Sequence, residues 1–157
     1  MTALLPPDDP WAAYARTVVE IVRGAEGDFV TVCAAPPGQT GRWPWPTREP
    51  VPILTAWDPG EERRPLDVNR RVGIELEATL RPRARRVLEA VGVDPDSGHR
   101  EEGLAALGLS VDEAVSLGAG YGQDAIFVWA PDAWSLVSCR DERRVGFGWC
   151  VSVLRPM

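Results

Sequence analysis

Lysine is absent from this chain: all 17 basic residues are arginine. That absence excludes Schiff-base catalysis, pyridoxal-phosphate attachment and a phosphate-binding P-loop, each of which needs a lysine ammonium at a fixed place. Histidine occurs once, as His99, and asparagine once, as Asn69. A zinc centre takes several His or Cys ligands at characteristic spacing, so no metal site is expected. The three cysteines, Cys33, Cys139 and Cys150, are odd in number and form no C-x-x-C pair. They fit reduced thiols in a cytoplasm better than a disulfide framework. No apolar run approaches the roughly 20 residues that span a bilayer, and the opening "MTALLPPDDP" lacks the basic and apolar regions of an export signal. A net charge of −6 and a pI near 4.8 leave no basic footprint, so neither nucleic acid nor a membrane is an expected partner. The glycines of "GAGYGQ" follow a helix, whereas a dinucleotide fingerprint opens one; no cofactor is expected.

What is present is the material of one globular domain, residues 1–157, with 45% hydrophobic and 25% charged residues. The Lys-free, Ala/Gly/Pro/Arg-rich usage resembles that of a GC-rich bacterial genome. "DDPWAAYA" reads as a short helix with Asp9 as N-cap and Pro10 at its first position. "TVVEIV" (17–22) and "DFVTVCA" (28–34) read as a hairpin across "RGAEG". The Pro- and Trp-rich stretch 36–52 reads as a long surface loop kept out of any sheet by its prolines. "VPILTAW" (51–57) is a strand, followed by a helix over 66–81 with Val68, Val72, Leu76 and Leu80 on one face. "RVLEAVGV" (86–93) is a strand, "DPDSGHREEG" a loop, and "LAALGL" a short strand or a turn. Ser110 and Glu113 form a capping box that opens the next helix. Strands at 125–130, 133–139 and 145–154 complete the chain. The expected class is α+β: an antiparallel or mixed sheet of about six to seven strands with two main helices packed on it.

The ordered segments "ILTAWDPG", "LDVNRR", "DPDSGHREEG", "DEAVSLGAGYGQDAIF" and "LVSC" resemble a bacterial family known as domain of unknown function 3293, from about Thr17 to Cys139. The resemblance implies no reaction. Asp58 stands where that family usually has Asn, and Val72 stands where its helix tends to place Arg.

The candidate chemistry lies among the scarce polar residues. His99 beside Glu101 is a candidate general acid–base pair, set against the plainer reading of a solvated charged loop. Asn69 shares the helix face that meets the sheet, where its amide either ties down the turn after Asp58 or meets a ligand. Gln123, at a helix-to-strand junction, presents the same choice. Trp57, Arg70, Arg100 and Glu102 complete the expected ligand-binding set, with the arginines as a fork for phosphate or carboxylate. A Cys–His nucleophile is disfavoured, because Cys139 and Cys150 sit in apolar strands. No G-x-S-x-G supports a serine triad. Two expectations result. One is a small polar or anionic molecule bound, or bound and acted on, in a cleft beside "GHREE"; the other is a protein partner docked on Trp43 and Trp45 of "RWPWP" if they face outward, although folding of these two back onto the body is the slightly favoured reading.

Overall fold

The computed structural model describes residues 4–24, 27–60 and 62–154, with the side chains of Val153 and Leu154 excepted. The turn read over 23–27 contains Ala25 and Glu26, and the turn after Asp58 contains Glu61; these three, like the first three residues of the opening segment, lie outside the described residues. In chain order the elements are α1 (Ala12–Ala15), β1 (Val18–Val22), β2 (Phe29–Ala35), β3 (Val51–Thr55), α2 (Leu66–Leu80), β4 (Arg86–Val93), β5 (Arg100–Leu107), α3 (Val111–Gly120), β6 (Ala125–Ala130), β7 (Ala133–Ser138) and β8 (Arg144–Leu154).

The strands pair antiparallel in the order β1, β2, β8, β7, β6, β3, β5, β4, and β4 returns to β1 through Val18↔Val93 to Ile21↔Ala90. The sheet is therefore a closed eight-stranded barrel, which overturns the expected α+β sheet carrying two main helices. The difference arises at "HREEGLAALGL", most of which is a full strand, β5, paired along its whole length with β4. With β5 in place, the two remaining edges are those of β1 and β4, and pairing them satisfies the backbone donors and acceptors that an open edge leaves bare.

Alternation along each strand divides two apolar cores. Val19, Ile21, Val30, Val32, Ile53 and Leu136 point inward with Trp129, Trp134 and Trp149. Leu54, Leu104, Ala106, Ile126 and Val128 point outward and are covered by Leu76 and Leu80 of α2 and Ala114 of α3. The helices thus patch one part of the wall and leave the barrel to dominate. Ser110 caps α3 as its sequence implies, accepting the Glu113 N–H at 3.2 Å. The first helix is a single turn that starts two residues later than its sequence suggests, although Asp9 still accepts the Trp11 N–H at 2.9 Å. Among the described residues no helix is long and apolar enough to cross a membrane.

The Pro/Trp stretch is irregular up to β3, but Pro52 is not excluded from the sheet: it lies in β3 opposite Val128. It is tolerated there because β5 pairs with β3 only from Ile53 onward, so the missing N–H faces no partner strand. The loop folds back over the end of the barrel where β1 finishes and β4 begins. Arg23 Nη1 donates to the Pro44 carbonyl at 3.4 Å. Trp45 is buried and stands edge-on to Trp129 at 6.0 Å, and half-buried Trp43 meets Trp129 at 5.3 Å. The docking expectation required these two indoles to face outward, and they close one end of the barrel instead.

Candidate functional site

The opposite end of the barrel is open. A cavity of about 440 Å³ enters there, bounded by α1, the β4–β5 turn, the segment after β3 and the α3–β6 junction. Small inward positions make the room, since Ala90 and Gly92 of β4 and Gly103 of β5 fall where bulky side chains would fill the mouth. A side chain at position 103 would also collide with the Leu54 carbonyl, so the glycine is fixed by strand packing as well. Deeper in, Val19, Ile53, Phe127 and Leu136 supply an apolar wall.

Three titratable groups converge at the mouth. His99 Nε2 lies 3.2 Å from Glu101 Oε1 and 3.8 Å from Asp58 Oδ2. Arg63 Nη1 lies 2.7 Å from both imidazole nitrogens and 3.7 Å from Asp58 Oδ2. His99 is held by a tight turn: the Asp94 N–H donates to the His99 carbonyl at 2.9 Å, the Gly98 N–H donates to the Asp94 carbonyl at 2.7 Å, and Gly98 takes φ +75°. Arg16, at the end of α1, ties the turn down through Asp94 at 3.3 Å and Asp96 at 3.1 Å.

Asp58 is 8% exposed and adopts φ +41°, a left-handed conformation that Asp tolerates better than most residues. Its Oδ1 accepts the Arg64 N–H at 2.8 Å and the Asn69 Nδ2 at 3.0 Å, while Asn69 Oδ1 accepts the Asp58 N–H at 3.1 Å. These bonds turn Oδ2 toward His99 and Glu101. Burial works to raise the Asp58 pKa, but the Arg64 and Asn69 donors, with Arg63 and His99 nearby, outweigh it and hold the carboxyl below its ordinary value. Burial pushes Glu101 the other way, above the ordinary range, against the opposing pull of His99. Two carboxylates with pKa values driven apart, bridged by an imidazole, form an arrangement that can accept and return a proton.

Of the residues singled out from sequence, His99, Glu101 and Gln123 line this cavity. Asn69 is buried behind it and orients Asp58. Gln123 Nε2 donates to the Trp57 carbonyl at 3.0 Å, locking the α3–β6 junction to the end of β3. Arg70, Arg100, Glu102 and Trp57 border a separate depression between α2 and β4–β5. There Arg70 pairs with Glu102 at 3.5 Å, and Arg100 pairs with Glu20 at 3.5 Å. The division follows from β5 being a strand, whose alternation points Glu101 inward and sends Arg100 and Glu102 outward. Sequence reasoning missed Asp58 and Arg63 as site residues. The signal for Asp58 was its place directly after "ILTAW", at the end of a strand that must turn sharply into Pro59 and Gly60.

The family described as Protein of unknown function (DUF3293) matches residues 54–126, a narrower span than the resemblance read from 17 to 139. That span contains Asp58, Arg63, Asn69, His99, Glu101 and Gln123. No curated protein and no solved structure matches the chain.

Proposed function

We propose that this protein binds a small amphipathic molecule in the open mouth of the barrel and is equipped to exchange a proton with it. The observation that carries the reading is the cavity of about 440 Å³ whose inner wall is apolar and whose rim gathers Asp58, Arg63, His99 and Glu101. Ligand sites are concave and largely apolar, with a few polar groups that fix orientation, and the mouths of β-barrels are favoured places for them. An apolar body would lie against Ile53, Phe127 and Leu136, and a polar or anionic head would meet Arg63 and His99. Glu101, the carboxyl with the raised pKa, is the candidate acid–base group, and His99 the group through which its proton passes. A reducing, cytoplasmic setting suits the three free thiols.

The test is a thermal-shift screen of small carboxylates, phosphates and their neutral analogues against wild type, His99→Ala and the cavity-filling Ile53→Phe. Compounds with an apolar body and a polar head should raise the wild-type melting temperature by a few degrees and shift neither variant. The reading fails if no compound acts on wild type, or if both variants respond as wild type does.

A further inference from the structure

We propose that Asp58, His99 and Glu101 form a binding site for one first-row divalent cation, of the manganese, iron, cobalt or zinc kind, at the mouth of the barrel. Each residue offers one ligand atom, and these atoms lie within 4.8 Å of one another. Bonds of about 2.0–2.2 Å meeting at tetrahedral or octahedral angles place neighbouring donors about 3–3.5 Å apart. The 3.2 Å between His99 Nε2 and Glu101 Oε1 already fits, and the 3.8 Å between Nε2 and Asp58 Oδ2 needs a shift of a few tenths of an ångström.

A second observation points to a cation independently of the clustering. Asp58 is more than nine-tenths buried, and its Oδ1 is committed to Arg64 and Asn69. Its Oδ2 accepts no hydrogen bond among the described residues and faces His99 and the Arg63 guanidinium at 3.8 and 3.7 Å. A carboxylate oxygen held toward a cavity by bonds to its twin is the way metal-binding carboxylates are oriented by their neighbours. In this structure the positive charge facing that oxygen is Arg63, whose side chain is 68% exposed. Arg63 therefore stands in the place of the cation and competes with it.

The donor set selects the metal. One imidazole with two carboxylates suits first-row transition ions, whereas calcium and magnesium prefer all-oxygen shells. Three protein ligands leave coordination positions open, and here those positions face the cavity. The cation deepens the ligand reading above, since a dication at the rim joins Arg63 in offsetting the two carboxylates and strengthens the hold on an anionic head group.

The test uses the intact chain with Cys33→Ser and Cys150→Ser, so that this facing pair of thiols cannot bind the metal in competition with the site. Titration with Zn²⁺ and Co²⁺ should give one equivalent bound. Affinity should fall about 100-fold or more in His99→Ala, fall about 10–100-fold in Asn69→Leu, which removes only the orienting amide, and rise in Arg63→Ala, which removes the competing charge. A melt by circular dichroism establishes that each variant is folded. A second measurement needs no site variant: because His99 is the sole histidine, sub-stoichiometric Mn²⁺ should selectively broaden the single set of imidazole proton resonances. Unchanged affinity in His99→Ala, loss of binding in the Cys33→Ser/Cys150→Ser background alone, or an imidazole signal indifferent to Mn²⁺ would overturn the site. The titration needs no organic ligand and the ligand screen is run in chelator, so either reading can fail while the other stands.

Discussion

Asp58 and Glu101 respond to acid in opposite senses. Glu101 holds its proton more tightly folded than unfolded, so its contribution to stability is present below the ordinary carboxyl range and is lost as pH rises through its folded pKa. Asp58 is the reverse: its contribution is present above its unfolded pKa of 3.8 and is lost as pH falls through the lowered folded value. Glu101→Gln should therefore melt higher than wild type at pH 6–7, with the gap closing toward pH 4. Asp58→Asn keeps the backbone conformation and the Oδ1 acceptor but loses the charge, and should cost about 1–3 kcal/mol at pH 7, with the gap closing toward pH 3. Melting curves across that range check both, and parallel profiles for the two variants would sink the assignment. Much of this site was legible in residue identity. His99, Glu101, Asn69 and Gln123 drew notice because each was scarce or oddly placed. Arg63 did not, being one of 17 arginines with nothing in its neighbourhood to mark it.

At the scale of elements, hydrophobic alternation and turn residues located nearly every strand and both longer helices. What they could not supply was where "DPDSGHREEG" stops being a loop. Its charged residues look solvated, yet Arg100 to Glu102 pair in register with Glu101↔Gly92 and Glu102↔Val91, because β4 provides a partner that no local signal announces. The Trp loop leaves two readings open in the same way. Proline and tryptophan together suggest an exposed, stiff ligand, but the slightly favoured reading folds the indoles onto the body, and Trp45 is 6% exposed. Its indole N–H finds no acceptor among the described residues, so packing against Trp129 is what holds it. Trp45→Ser should lower stability by about 3–5 kcal/mol, the range for emptying a buried aromatic site, while Trp45→Phe should recover most of the loss. Denaturant unfolding measures both, and a Trp45→Ser protein as stable as wild type would return the loop to the surface.

For the whole molecule, the feature sequence could not reveal is closure. Pairings of β1 with β4 and of β2 with β8 join segments far apart in the chain, and nothing in either strand's own pattern names its distant neighbour. That second seam has a property of its own. Cys33 and Cys150 are direct partners across it, 117 positions apart, with their sulfur atoms 2.8 Å from each other. Burial and the adjacent Cys150 push the Cys33 thiol up to about 12, so it is protonated and quiet, while exposed Cys150 is the sulfur an oxidant meets first. Incubation with a low-molecular-weight disulfide should load Cys150 as a mixed disulfide, whose Cys150 sulfur the adjacent Cys33 sulfur then attacks, losing its proton and expelling the small thiol to leave an intramolecular bond. Mass spectrometry should find the 33–150 linkage, and the melting temperature should rise by roughly 5–15 °C, in line with about 2–4 kcal/mol for a long loop. A Cys150→Ser protein should show neither change. The barrel then answers to thiol poise: in reducing solution its ring is fastened by backbone hydrogen bonds that can breathe apart, and in oxidising solution the same ring acquires a covalent clasp between β2 and the last strand, so that the hoop framing the mouth opposite the tryptophan plug cannot part at that seam.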